Sequence, residues 1–162
     1  MKQVFIALIA IVIFSCNGNA QKKDSKTASE YPVTKTEAEW KEILTPQEYA
    51  VLRKSETERP FSSELNGVTE PGIFVCAACG NELFKTEHKF ESGTGWPSFD
   101  RPIEGGVGYG SDTKLGYQRD EIHCADCGGH LGHVFDDGPG ATTGKRYCMN
   151  GVAMKFIPDS KK

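Results

Sequence analysis

Six cysteines carry most of the chemistry open to this 162-residue chain, and four of them stand in two matching turns, Cys76-Ala77-Ala78-Cys79-Gly80 and Cys124-Ala125-Asp126-Cys127-Gly128. A two-residue gap lets both sulfurs of a turn face one ion, and the closing glycine lets the backbone curl so that its amides point at sulfur. Two such turns supply four thiolates, the ligand set of a closed tetrahedral Zn2+ site, and a site with no open position is structural. Two disulfides are the competing reading in an exported chain. The repeated spacing with its glycines serves a metal and gives a disulfide framework nothing. A thioredoxin-like redox role needs one such motif in a βαβ setting, which neither has. The 44 residues between the turns exceed the span of a compact zinc ribbon, so the middle of the chain must loop out between them.

Cys148 stands apart, in Arg146-Tyr147-Cys148-Met149-Asn150. Alternate residues of an extended segment share a face, which puts Arg146, Cys148 and Asn150 on one side with Val152, Met154 and Phe156. A fixed cation beside sulfur favours the thiolate, and the thiolate is the nucleophile. A buried, inert cysteine is the other reading, and spacing alone does not choose between them. Upstream, His130-Leu131-Gly132-His133-Val134-Phe135-Asp136-Asp137 offers a His-x-x-His pair. It has the spacing to ligate metal, but with four thiolates present these rings are free for proton transfer or hydrogen bonding. Trp96, in Gly93-Thr94-Gly95-Trp96-Pro97-Ser98-Phe99, is an aromatic on a glycine-bounded turn, which composition alone reads as core.

The elements that must position these groups begin with two capping boxes, Thr36-Glu37-Ala38-Glu39 and Thr45-Pro46-Gln47-Glu48, each with a hydroxyl at N-cap and an acid at N3. They predict two short helices that pack through Trp40, Ile43 and Leu44 and through Tyr49 and Leu52. Past Arg59, short apolar runs are separated by Gly, Pro, Asn and Asp: Ile73-Phe74-Val75, Gly116-Tyr117-Gln118, Glu121-Ile122-His123, Val134-Phe135, and Tyr147 to Ile157. The expected fold is mostly β with a helical start. With 19 basic against 22 acidic side chains the formal charge is −3, which leaves no electrostatic reason to bind nucleic acid. A zinc-knotted binding module and a structural surface lipoprotein are the rival classes. The acidic charge and the lone Cys148 beside Arg146 count against the first.

Lys2 precedes eleven apolar residues, Val4 to Phe14, that end at Ser15-Cys16-Asn17. This run is too short to span a bilayer and has the layout of an export signal. Ile13-Phe14-Ser15-Cys16 resembles a bacterial lipobox, which implies cleavage before Cys16 and a lipid on its sulfur. Cleavage near Ala20 is the alternative and would leave a soluble periplasmic protein. The expected organisation is a signal peptide at 1–15, a flexible tether at 16–35 too polar to repay ordering, a domain at 36–158 and a tail at 159–162. The expected location is the bacterial cell envelope, lipid-anchored and facing the periplasm or the surface.

Taken in order, the first Cys-x-x-Cys, the segment Ser92 to Phe99, the second Cys-x-x-Cys running into His130 to Phe135, and Arg146 to Asn150 resemble the B-type methionine sulfoxide reductases, specific for the R epimer. The resemblance runs from about Glu37 to Pro158. It implies two antiparallel sheets in a β-tent-like arrangement with short N-terminal helices, and one structural Zn2+ on Cys76, Cys79, Cys124 and Cys127. It implies thiol-dependent reduction of methionine-R-sulfoxide in oxidised proteins or peptides. Cys148 would attack the sulfoxide sulfur and be left as a sulfenic acid, with Arg146 favouring its thiolate. His133, with His130 nearby, and Asn150 would hold or protonate the departing oxygen. Asp137 would orient a histidine, and Trp96 and Phe156 would wall an apolar pocket for the methyl group. In one departure, many relatives carry a resolving cysteine where this chain has Thr94. That implies a cycle closed by an external thiol from a thioredoxin-like donor in the envelope.

Overall fold

In a computed structural model that describes residues 31–161, both capping boxes close. The leader, Cys16 and the rest of the tether up to residue 30 lie outside the described residues. Thr36 Oγ1 accepts from the Glu39 N–H at 3.3 Å while the Glu39 carboxylate accepts from the Thr36 N–H at 2.7 Å, opening α1 (Glu37–Ile43). Thr45 and Glu48 repeat the exchange at 3.2 and 2.8 Å to open α2 (Pro46–Lys54). Each cap satisfies N–H groups that a first helical turn leaves orphaned, worth about 1 kcal/mol. Trp40, Leu44, Val51 and Leu52 are buried, and the Arg53 guanidinium lies 5.0 Å over the Trp40 ring. Ile43, expected on the buried stripe, is exposed, because the buried face of this short helix narrows to Trp40 and its i+4 neighbour Leu44.

Tyr31 and Val33, the described end of the segment read as a tether, are docked. The Val33 N–H donates to Asp126 O at 2.8 Å, and the Tyr31 ring meets His123 edge-on with 5.7 Å between centroids. These two residues bring apolar surface to bury, which the Lys- and Ser-rich stretch before them lacks.

The strands form two antiparallel sheets. In the smaller, β1 (Gly72–Cys76) lies between β2 (Glu82–Lys85) and β9 (Met154–Pro158). The larger runs β3 (Lys89–Phe90), β4 (Ser98–Phe99), β8 (Arg146–Met149), β7 (His130–Phe135), β6 (Arg119–Cys124), β5 (Val107–Asp112). The fold class is thus the one expected. Phe74 of β1, Phe84 of β2 and Phe99 of β4 clasp the sheets together, all three fully buried. Phe84 stacks on Phe99 with 4.3 Å between ring centres, and Phe74 meets Phe99 edge-on at 4.9 Å. Such pairs add about 0.5–1.5 kcal/mol each beyond the area they bury.

Two expectations are corrected. The extended run from Tyr147 to Ile157 is two strands in different sheets: the chain leaves the larger sheet at Met149, bends through a 3-10 turn at Gly151–Ala153 and enters the smaller sheet as β9. Gly151 permits this close passage, since a Cβ there would fall 1.9 Å from Ser63 Oγ. Gly116-Tyr117-Gln118 belongs to the turn between β5 and β6. β5 itself lacks an apolar pattern because its Gly108 lies under the His123 ring, whose Nε2 is 2.4 Å from where a Cβ would stand.

Gly132 of β7 lies opposite Met149 of β8, and a Cβ there would be 2.1 Å from the Cys148 carbonyl oxygen. Gly132→Ala must push the two strands apart, and urea unfolding should show a loss of about 1–3 kcal/mol. Gly140→Ala, where a Cβ meets nothing within 4 Å, should stay within about 0.5 kcal/mol of the wild type.

Candidate active site

The two knuckles end strands of different sheets, Cys76 closing β1 and Cys124 closing β6. In each, the glycine has positive φ, 79° at Gly80 and 66° at Gly128, and its N–H donates back to the first cysteine's carbonyl at 2.9 Å. All four sulfurs lie within 4.8 Å of one another, with Cys76 Sγ to Cys127 Sγ at 3.7 Å and Cys79 Sγ to Cys124 Sγ at 3.6 Å. A tetrahedral metal with sulfurs about 2.3 Å away needs edges of about 3.8 Å, so the four cysteines fit a metal ion without rearrangement. The Asn81 amide donates to Cys124 Sγ at 3.5 Å, linking one knuckle to the other.

Cys148 sits in β8 at the middle of the larger sheet, with Ser98 of β4 opposite on one side and His133 of β7 opposite on the other. Residues directly opposite in an antiparallel pair share a face. The row continues to Glu121 of β6, so Ser98, Cys148, His133 and Glu121 cross the sheet on one face. Cys148, His133, Trp96, Asn150, Arg119, Phe135 and Thr57 line a cleft of about 110 Å³. A larger hollow of about 720 Å³ between α2, residues 56–65 and the 3-10 turn is lined by no cysteine or histidine. The sulfur marks the site.

Burial pushes the Cys148 thiol up from its ordinary value, and this outweighs the Thr94 hydroxyl, 3.9 Å from the sulfur, and the Arg146 cation, both of which pull it down. The field of Arg146 is blunted because its Nε and Nη2 each donate to Asp137 at 2.8 Å, and the Asp137 carboxylate itself works against the thiolate. The guanidinium also stacks on Phe135, 4.5 Å from the ring centre. His133 Nε2 meets Asp112 Oδ2 at 2.5 Å, and Arg119 holds both oxygens of that carboxylate at 2.9 and 3.1 Å. Burial would raise Asp112, yet these bonds hold it well below the usual carboxylate range.

Glu58 joins opposite walls of the cleft. Its backbone carbonyl accepts from the Trp96 indole N–H at 3.2 Å and its N–H donates to Asn150 Oδ1 at 3.0 Å. Its buried carboxylate accepts from the N–H groups of Gly151 and Val152, capping the 3-10 turn. The Asn150 amide in turn donates to Leu131 O at 3.0 Å.

Of the residues singled out in the sequence, Cys148, His133, Asn150 and Trp96 meet at the cleft, with Arg146 behind the sulfur. Three take other places. Asp137 holds Arg146 and no histidine; the carboxylates on His133 and His130 are Asp112 of β5 and Glu121 of β6. His130 is buried behind His133, ring centres 5.3 Å apart, with Nδ1 on Glu121 at 2.6 Å. Burial lowers its pKa in spite of that carboxylate. Phe156 lies on β9 in the smaller sheet, 5.0 Å from the Phe74 ring, because the 3-10 turn breaks the alternation that linked it to Cys148; Phe135 is the second aromatic of the cleft. Glu58, Asp112, Arg119 and Phe135 carry no sequence spacing that points to Cys148.

The chain matches the SelR domain family over residues 44–158. It is 55% identical over 125 residues to the peptide methionine sulfoxide reductase MsrB of Methanosarcina barkeri, covering 76% of this chain and 87% of that protein. The protein of the same name from Bradyrhizobium diazoefficiens is 50% identical over 137 residues, 83% of this chain and 98% of that one. That from Leifsonia xyli is 47% identical over 133 residues, 82% and 96%.

The electrostatics around sulfur give a signed test. Asp137→Asn removes a charge that opposes the thiolate and frees Arg146 to act on it, so the pH midpoint of iodoacetamide alkylation at Cys148 should move down. Arg146→Met should move it up. A shift in the opposite direction for either variant would refute this account of the site.

Proposed function

This chain belongs to the SelR domain family, the B-type peptide methionine sulfoxide reductases, and we propose that Cys148 is the nucleophile of its reaction. It reduces methionine-R-sulfoxide in peptides or proteins to methionine at the expense of a thiol. The observation that carries the assignment is the facing pair of Cys148 and His133 on one sheet face, in a cleft shared with Trp96 and Asn150.

In the proposed cycle the Cys148 thiolate attacks the sulfoxide sulfur, and oxygen passes to cysteine: thiol and sulfoxide become sulfenic acid and thioether. Asp112 occupies Nε2 of His133, so Nδ1 is the nitrogen that delivers a proton to the oxygen as negative charge grows there. His130, buried behind it, steadies the ring, and Asn150 bounds the oxygen side. Trp96 and Phe135 form apolar walls for the methyl group, and a fixed methyl pocket opposite a fixed oxygen site separates R from S. Thr94 stands beside the sulfur where a resolving thiol would be, so an external thiol attacks the sulfenic acid, releasing water, and a second restores Cys148 as the disulfide leaves.

The metal of the four-cysteine cluster is zinc, the ion that thiolate tetrahedra of this kind select. The apolar run before Cys16 supports export and a lipid anchor, which would make the chain a repair enzyme for oxidised envelope proteins served by an envelope thioredoxin-like donor.

Given separate R and S epimers of a methionine sulfoxide peptide with dithiothreitol, the protein should turn over R alone, and Cys148→Ser should lower the rate by more than about a thousandfold. Without reductant, one methionine should form per chain and dimedone should label Cys148. An internal disulfide at Cys148 would falsify the single-cysteine cycle. Elemental analysis of protein never exposed to chelator should give one zinc per chain; its absence would sink the metal assignment.

A further inference from the structure

Phe61 is the most exposed of the large apolar side chains among the described residues, at 74%, and its backbone stands at a φ of 61°. Bulky residues rarely enter that left-handed region, and such conformations gather where a surface is used. Here it is held firmly. The Phe61 N–H donates to Gly95 O at 2.7 Å and the Asn66 amide donates to the same carbonyl at 3.0 Å. Gly95 has no side chain where a Cβ would come within 2.9 Å of the Phe61 ring. The next residue is Trp96, whose indole N–H is tied to Glu58 O, three residues before Phe61. Residues 58–61 and the turn at 95–96 are therefore one braced lip, with Trp96 lining the cleft and Phe61 displayed outside it.

A ring left mostly in water gains little from folding, so its fixed position needs another cause. The cleft, at about 110 Å³, takes the end of one side chain and leaves the rest of a polypeptide lying on the lip. We propose that Phe61 is a docking platform for the substrate polypeptide, packing against apolar side chains that flank the oxidised methionine. The role rests on the reductase activity stated above and adds to it a contact with the residues on either side of the oxidised methionine.

The test is kinetic, on the R epimer of N-acetylmethionine sulfoxide and on a pentapeptide with leucines flanking methionine sulfoxide. Phe61→Asn, which keeps a residue tolerant of positive φ but removes the ring, should raise the peptide KM about three- to tenfold with kcat unchanged. N-acetylmethionine sulfoxide should be reduced as by the wild type, and Phe61→Tyr should restore the peptide KM. An equal change on both substrates, or none on either, overturns the docking role while wild-type turnover leaves the reductase reading standing. A wild-type protein inert to both substrates would remove the reaction and the docking role together.

Discussion

The register between β7 and β8 is the constraint on which the cleft depends. Antiparallel pairing sets His133 opposite Cys148, and the same register lets the side-chain-free Gly132 meet the Cys148 backbone at close range. A slip of one residue would turn every side chain of the row to the other face, sending the imidazole and the sulfur to opposite sides of the sheet. The neighbouring ladders carry the row outward to Ser98 and Glu121, so four strands contribute to one row of side chains. Of the residues that line the cleft, Thr57, Trp96 and Asn150 lie outside the strands, and the last two are tied through Glu58.

That tie explains why the two sheets act as one body at the cleft. They meet at the phenylalanine clasp, at the cysteine cluster and along the chain itself, where β8 passes into β9. The third junction carries a buried carboxylate that accepts two backbone N–H groups, bonds worth about 1.5–3 kcal/mol each when an ion takes part. Removing the carboxylate would orphan both N–H groups next to Asn150. The covalent link between the sheets thus doubles as the floor of the site.

What the sequence made legible was local. Helix starts were readable because a capping box is complete within four residues, and the cysteine cluster because each knuckle carries its own spacing and glycine. What it hid was set by partners far along the chain. Asp137 is near His133 in sequence, yet the side chain that reaches His133 belongs to Asp112, which arrives through two intervening strand pairings. Phe156 shares the parity of Cys148 only while the backbone stays extended, and the Gly151–Ala153 turn ends that. β5 offered no apolar alternation because Gly108 leaves room for a histidine ring from the next strand. Glu58 showed no motif at all, since each of its four bonds uses a backbone atom, its own or its partner's.

The hydroxyl of Thr94 at 3.9 Å from Cys148 Sγ has a kinetic meaning. A thiol in that place would meet the oxidised sulfur at the effective molarity of an intramolecular reaction, which reaches about 10⁵ M or more in well-oriented cases. A hydroxyl cannot reduce it, so on the proposed cycle regeneration is second order and runs at the concentration of whatever thiol the surroundings supply. Flux through this protein would then rise and fall with its reductant, even when damaged methionine is plentiful. The rate at which repair proceeds would be decided outside the fold.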